Sequence, residues 1–302
     1  MLIVEILFLL RDIVIACVAA VWNFLITPKY KDVKDEIVLI TGSANGIGRG
    51  LALAFARRGC ILVLWDIDEA ENEKTAQLVT EAGAKAYPYY CDLSKRKEIY
   101  RIGKKVQKEV GDVTILVNNA GVVIGKSFLE CPDEEIENSF QVNTLAYFWT
   151  IKVFLPKMIE KNYGHIVNMS SSLGLTGINK LTDYCSTKFA VVGFNEVLSY
   201  ELQHDQYDGI KTTLICPQCV KTRMFEGCKL RFPPICPFME LDYVVNKSMQ
   251  AILTNQYILC LPRLVYFQAV FKAILPTEAW IASCRFFGTM TFMDSFVGNK
   301  KD

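Results

Sequence analysis

Residues 37–58 read IVLITGSANGIGRGLALAFARR, and the organisation of the whole chain follows from that stretch. Ile37–Thr41 is a short apolar run, the composition of a strand buried on both faces. Glycines follow at 42, 46 and 48, and a helical pattern continues through about Arg58. Gly42 permits a tight turn, Gly46 lets the backbone approach a pyrophosphate, and Gly48 lets helix and strand pack closely. A helix starting there points unpaired N–H groups toward a phosphate. A glycine-rich turn alone is a weak signal. Here a strand precedes it, a helix follows it, and an acid, Asp66, lies about eighteen residues beyond Gly48.

Outward from this unit the same alternation repeats. Ile61–Asp66 reads as a second strand, followed by a helical stretch near Glu69–Glu81. Further strands are expected at Ala86–Cys91, Val113–Asn118, His165–Ser170, Lys211–Cys216 and Tyr257–Leu261. Strands separated by helical patterns imply βαβ units, hence an α/β fold with a doubly wound parallel sheet in a single domain. The length of 302 residues can bury one large core. Net charge is +1, with no basic block, so nothing points to nucleic acid. The eleven cysteines are scattered and odd in number, which suits a reduced chain better than a disulfide framework. His165 and His204 are the only histidines, no Cys/His grouping has metal spacing, and both read as structural or surface residues.

The chemistry concentrates in Tyr184-Cys185-Ser186-Thr187-Lys188, read with Ser171 thirteen residues earlier. A phenol with a reference pKa of about 10 is a poor base near neutrality. Four residues on, Lys188 shares a helix face with Tyr184, and a nearby cation is expected to lower the phenol's pKa toward working range. Ser171 ends a strand and offers a hydroxyl to a substrate alcohol or carbonyl. On its own, Y-x-x-x-K is an ordinary amphipathic fragment. It gains meaning beside Thr41–Gly48, Asn118-Asn119-Ala120-Gly121 and Asn143.

Taken together in this order and spacing, these stretches resemble the short-chain dehydrogenase/reductase family over about residues 36–262. GDVTILVNNAGVV, CPDEEIENSFQVN and YCSTKFA are most similar to members that oxidise retinoids, and to membrane-bound and lipid-droplet members that oxidise 17β-hydroxysteroids. The resemblance implies a Rossmann-type catalytic domain and metal-free hydride transfer from a lipophilic alcohol, all-trans-retinol first and a 17β-hydroxysteroid second, to NAD. It assigns catalysis to Tyr184, Lys188, Ser171 and Asn143, with Asn143 holding a water that connects Lys188 to solvent. An Asn that caps or kinks a helix is compatible with that role. Ser171 and Tyr184 would also contact substrate. The cofactor set is Gly42, Ser43, Asn45, Gly46, Ile47, Gly48, Asp66, Asp92, Asn119, Ala120, Lys188 and Thr222, with Asn118 supporting the central strand. Asp66 can accept from the adenosine ribose hydroxyls and repel a 2′-phosphate, favouring NAD over NADP. Asn45 points the same way, since relatives that use NADP often carry a basic residue there; Arg49 is a contrary hint. Gln218 replaces the glycine usual in the Pro217–Thr222 turn. A homodimer paired through helices is common in such relatives. A catalytically silent lipid-droplet scaffold is the other class, and an intact set of four catalytic residues argues against it.

The ends of the chain are apolar, and the mean hydropathy is +0.22. Residues 2–26 carry only Glu5, Arg11, Asp12 and Asn23 as strongly polar positions. As a helix they are long enough to cross about 30 Å of hydrocarbon. Arg11 and Asp12 fall near the middle, and at about 100° per residue Glu5, Asp12 and Asn23 form one polar stripe, which also suits a helix lying in the interface. A membrane anchor over residues 1–35 is expected. There is no basic leader or clear cleavage site of a signal peptide. Lys29, Lys31 and Lys34 predict a cytosolic domain, at the endoplasmic reticulum or a lipid droplet. Residues 222–242, with Met224, Phe225, Phe232, Ile235 and Phe238 among prolines, resemble the family's substrate lid, or else form a buried connection. Residues 263–302 form an apolar extension that packs on the core or makes a second membrane contact. Cys216-Pro217-Gln218-Cys219 has redox spacing but coincides with the turn that follows a strand.

Overall fold

The computed structural model describes residues 2–26, 28–234 and 237–298. Ile235, placed in the lid by sequence, and the termini of the expected anchor and extension (Met1 and residues 299–302) lie outside the described residues, as does Thr27. Two compact units are separated between Asp32 and Val33. The first is α1 (Leu2–Leu25), whose described side chains are exposed, with Arg11 and Asp12 ion-paired at 2.8 Å. Among the described residues no helix is long and apolar enough to cross a membrane.

The second unit is an α/β sandwich. Its seven strands are β1 (Ile37–Thr41), β2 (Ile61–Asp66), β3 (Ala86–Tyr90), β4 (Ile115–Asn118), β5 (Gly164–Met169), β6 (Ile210–Pro217) and β7 (Ile258–Leu261). They pair in the order β3-β2-β1-β4-β5-β6-β7, all parallel. Every strand expected from sequence is present, with ends shifted by a residue or two. The order reverses between β1 and β4, and ligands of such sheets bind at the carboxyl ends of the strands near that switch.

Alternation on the strands divides the core. Val38, Ile40, Leu62 and Leu64 face one layer, with Leu51, Phe55, Val244 and Ile252 from α2 (Gly46–Ala56) and α8 (Leu241–Leu253). Leu39, Val63, Trp65 and Leu116 face the other, with Ile99 and Val106 of α4 (Arg96–Glu109), Tyr147 and Phe154 of α6 (Ala146–Lys161), and Leu198 of α7 (Thr182–His204). Both faces being covered explains the continuous apolar strands. The remaining helices are α3 (Glu69–Glu81), α5 (Asp133–Phe140), α9 (Leu264–Ile274) and α10 (Thr277–Phe287).

The carboxyl-end loops are closed by a third apolar cluster. Leu181, Tyr184, Cys185, Cys228, Phe292 and Met293 are buried in it, and Phe225, Phe238 and Phe296 pack against them. Residues 263–298 therefore divide their roles: α9 and α10 form two helices, and past Gly288, which is left-handed at φ +73°, the chain turns back over this cluster. α10 ends at Phe287 in a glycine C-cap.

Candidate active site

The glycine-rich turn is shaped by the side chains it lacks. A Cβ on Gly48 would sit 2.0 Å from the Gly42 carbonyl oxygen, and one on Gly42, at φ +67°, would sit 2.8 Å from Ala120 Cα. Neither position admits another residue without backbone movement. Asn45 caps α2 in an extended conformation and makes no side-chain cap hydrogen bond, so the first-turn N–H groups face the loop without a side-chain acceptor. Thr222 stands across from Gly46, its methyl 3.6 Å from where a Cβ would lie. Asn119 ties the turn to β4: its Nδ2 donates to the carbonyls of Thr41 and Gly42, and its backbone N–H and that of Ala120 donate to Thr41 Oγ1.

Asp66 closes one end of this cradle. Its carboxylate accepts from the Ala44 and Asp68 N–H groups at 2.9 Å each. Burial raises its pKa, and those backbone hydrogen bonds oppose the rise. Arg49 is held away by α3, donating to Thr75 Oγ1 at 2.9 Å and to Glu71 Oε2 at 2.8 Å. Two of the expected cofactor residues have their side-chain oxygens turned elsewhere. The Ser43 hydroxyl is fully buried and donates to Asn72 Oδ1 at 2.7 Å, so Ser43 fastens the turn to α3 and has only its main chain to offer a ligand. Asp92 accepts from Ser94 Oγ at 2.6 Å and pairs with Lys95 at 2.8 Å. Burial pulls its pKa upward, but the hydrogen bonds from Lys95 and Ser94 prevail and hold it below the ordinary carboxylate value. Ile47 is half-buried against the first core layer.

At the carboxyl ends of β4, β5 and β6, four expected residues converge. α7 buries a stripe comprising Tyr184, Lys188, Val191, Asn195, Leu198 and Leu202, spaced three or four apart, so Tyr184 and Lys188 face the sheet together. The Lys188 ammonium lies 5.6 Å from the Tyr184 ring centroid and donates to the Met169 carbonyl at 2.9 Å. Burial lowers the Lys188 pKa to about 8. Tyr184 differs from the sequence expectation. Its phenol is pushed up by burial, and the Ser171 hydroxyl opposes the rise as a hydrogen-bond partner. Desolvation outweighs a cation whose hydrogen bond is spent on a backbone carbonyl. Ser171 is 5% exposed, accepts from Leu173 N–H at 3.1 Å and donates to the Pro217 carbonyl at 3.3 Å.

Asn143 lies in a π-helical turn, Gln141–Leu145, that joins α5 to α6. The wider turn aims its amide at the β4 loop: Oδ1 accepts from Val122 N–H at 2.8 Å, and Nδ2 donates to the Val122 carbonyl and to Thr187 Oγ1. A Cβ added to Gly121 would fall 3.4 Å from Asn143 Oδ1 and 3.7 Å from Lys188 Nζ, so this glycine keeps open the space between them. Several supporting residues are not foreshadowed by the sequence reading. Thr187 links Asn143 to the Tyr184 carbonyl, and Ser170 holds the Lys188 carbonyl at 2.9 Å. Asn168 and Asn195 extend Asn118, which was expected to support the central strand, into a buried amide ladder across β4, β5 and α7. The residues beside the key tyrosine and serine are small and polar, and their contacts become visible only once helix and strand are packed.

Neither Cys216 nor Cys219 is in a disulfide: Cys216 is buried on β6 and Cys219 half-buried in the turn. His165 is buried against Thr213, and His204 is exposed beside Asp205. Among the described residues no cluster of acidic, Cys or His side chains could hold a metal ion.

A family model described as short chain dehydrogenase matches residues 36–230, which include the glycine-rich turn and the four converging residues. The chain belongs to the short-chain dehydrogenase family. It is accordingly an oxidoreductase of the alcohol dehydrogenase kind. It is 49% identical over 280 residues to epidermal retinol dehydrogenase 2 from Homo sapiens, covering 92% of this chain and 91% of that one. Among solved structures, it superposes on a short-chain dehydrogenase/reductase from Burkholderia phymatum in complex with NAD, with TM-score 0.73 and 24% identity over 80% of this chain and 94% of that one. A short-chain dehydrogenase from Sphingobium yanoikuyae in complex with NADPH gives TM-score 0.69 and 25% identity over 82% and 95%.

Proposed function

We propose that this chain oxidises a lipophilic alcohol of the retinol kind with NAD. The observation that carries the reading is the convergence of Ser171, Tyr184 and Lys188 beneath an apolar cover of aromatic side chains. The glycine cradle and the uncapped start of α2 fit the phosphates of a nicotinamide dinucleotide. In this reading the Asp66 carboxylate, at the end of β2 beside the glycine turn, accepts from the ribose hydroxyls. Arg49, the one basic residue of the turn, is already engaged by Glu71 and Thr75, which supports NAD over NADP. When bound, the dinucleotide supplies the hydride acceptor.

Tyr184 takes the proton of the substrate hydroxyl, and Ser171 positions the substrate oxygen. Because burial pushes the phenol up, proton removal needs a positive group near the ring. Lys188 can serve once its hydrogen bond is shared with a ligand, and Asn143 fixes the loop that borders the space between them. The similarity to epidermal retinol dehydrogenase 2 supports a retinoid, and the aromatic cover supports a hydrocarbon body.

The test is reduction of NAD by the purified chain with a panel of retinol, a 17β-hydroxysteroid and long-chain alcohols. Retinol is expected to give the highest kcat/KM, with Tyr184→Phe losing about 10²–10⁴-fold in turnover while still binding NADH. Substantial turnover by that variant would remove Tyr184 from the mechanism. A steroid preference would replace the retinoid reading, and no turnover with any alcohol would leave a scaffold.

A further inference from the structure

The third apolar cluster gathers Leu181, Tyr184 and Cys185 at the start of α7 with the segment after β6 and the residues that follow α10, and the last of these is not used by the chemistry described so far. Tyr184 is 4% exposed and Ser171 5%, yet both hydroxyls must reach the oxygen of a substrate. Phe225 meets the Tyr184 ring edge-on, with centroids 6.0 Å apart and planes at 88°. Behind Phe225 stands Phe292 at 6.2 Å, itself 3% exposed, and Phe292 also reaches Phe238 at 6.4 Å. Met293 is 3% exposed and in contact with Cys228, sulfur to sulfur at 3.5 Å. The fit is close. A Cβ on Gly125 would lie 2.3 Å from the Phe296 ring and 3.0 Å from Met293 Cε, and one on Gly227 would lie 2.4 Å from the Ser295 carbonyl.

The fastenings of this segment differ in kind from its packing. Asn179 Nδ2 donates to the Met290 carbonyl at 3.1 Å, and Lys180 pairs with Asp294 at 2.8 Å near the start of α7. Ser295 Oγ donates to the Gly227 carbonyl at 2.7 Å, and Val297 N–H donates to the Glu226 carbonyl at 3.1 Å. The Lys180–Asp294 pair is solvent-exposed, the class of contact that opens at little cost. Residues 288–297 are thus an apolar strap, packed on the catalytic tyrosine's own cluster and held at its rim by a few polar contacts.

We propose that this strap is the specificity wall of the active site: Phe292, Met293 and Phe296, with Phe225, receive the hydrocarbon body of the alcohol, and the strap moves with residues 225–228 to admit it. The inference rests on the alcohol-dehydrogenase reading above. Its physical basis is that a bulky alcohol cannot place its oxygen at Tyr184 and Ser171 without displacing Phe225, and Phe225 cannot shift while Phe292 stays. A short alcohol asks less of both rings, so truncating the strap must act unequally on large and small substrates.

The experiment compares full-length wild type with Phe292→Ala and Phe296→Ala on hexan-1-ol and all-trans-retinol, with NADH binding followed by fluorescence in each. The ratio of kcat/KM for the two alcohols is expected to change by about tenfold or more in both variants. NADH affinity should stay within about twofold, as for a fold that is retained. A ratio that stays at the wild-type value in variants that bind NADH would overturn the wall. Should the variants lose NADH binding, amide hydrogen exchange on wild type decides: retinol with NADH bound should slow exchange at Phe296 and Val297 by about fivefold, and Asp294→Asn should speed it. Exchange indifferent to retinol would overturn the proposal. Wild type that oxidises neither alcohol would instead sink the reading on which it rests.

Discussion

Lys188 places an ammonium in a site almost closed to solvent. It is 2% exposed, it donates to the Met169 carbonyl, and burial lowers its pKa to about 8. The linkage has a definite sign. Between about pH 8 and 10.5 the unfolded chain holds a proton on this lysine that the folded chain has released, so stability rises with pH across that window. Below pH 8 both states are protonated and the full penalty of the buried charge is present. Lys188→Met removes the penalty while keeping the length of the side chain. The variant is therefore expected to be more stable than wild type at pH 7, by about 1–3 kcal/mol, and the difference should shrink toward pH 10. Thermal melts of both proteins without cofactor from pH 7 to 10 test this. A variant that is less stable at pH 7 would mean that the hydrogen bond to Met169 outweighs desolvation. The same variant is expected to lose turnover, because in the proposed mechanism Lys188 is the positive group that Tyr184 needs to take the substrate's proton.

At the level of elements, the proposed preference for NAD rests on the loop between β1 and α2 and on the end of β2. The Asp66 carboxylate is held by Ala44 and Asp68, and Arg49 is drawn off by Glu71, whose pKa is lowered to about 2 chiefly by its hydrogen bond with Lys74 and then by Arg49. A 2′-phosphate placed there would face the Asp66 carboxylate, with Arg49 already engaged by Glu71 and Thr75. kcat/KM with NAD should therefore exceed that with NADP by about tenfold or more, and Asp66→Ser with Asn45→Arg should narrow or invert the ratio. A wild type that prefers NADP by a wide margin would show that Arg49 leaves α3 when the ligand binds. This loop was legible in the sequence because glycine spacing and strand–helix alternation are local signals. The seven strands were legible for the same reason, each a compact apolar run between polar punctuation. What stayed hidden depended on contacts between distant segments. The hydrogen bond of the Ser43 hydroxyl to Asn72 of α3, and the burial of Tyr184 beside a Lys188 that donates to the Met169 carbonyl, leave no local pattern to read. The return of residues 288–297 over Tyr184 carries no periodicity, since its contacts run to residues 125, 179–180 and 225–228.

On the scale of the whole molecule, the unexplained property is how much apolar surface stays outside. In α1, Ile3, Leu7, Leu10, Val14, Val18 and Val21 are all more than half exposed. In the catalytic unit, α9 exposes Leu264, Phe267, Val270, Phe271 and Ile274, a stripe at helical spacing, and α10 ends in exposed Phe286 and Phe287. Isolated apolar residues at a surface need no explanation, but contiguous helical stripes do. Arg11 and Asp12 neutralise one another within α1, which lowers the cost of bringing that helix to lipid. We therefore expect the protein to reside on endoplasmic reticulum membranes or lipid droplets with its catalytic unit in the cytosol, consistent with Lys29, Lys31 and Lys34 following the helix. Full-length protein should sediment with membranes and resist carbonate extraction, and protease added to intact microsomes should digest the catalytic unit. Removing residues 1–28 should weaken sedimentation while NADH binding is kept. A shortened protein that remains fully bound would transfer the attachment to the α9–α10 stripe, and combining the deletion with Phe267→Ser and Phe271→Ser should then release it. A catalytic unit protected from protease would place the active site in the lumen. A lipophilic alcohol partitions into the same lipid that these surfaces fit, so an enzyme held there meets its substrate without drawing it through water.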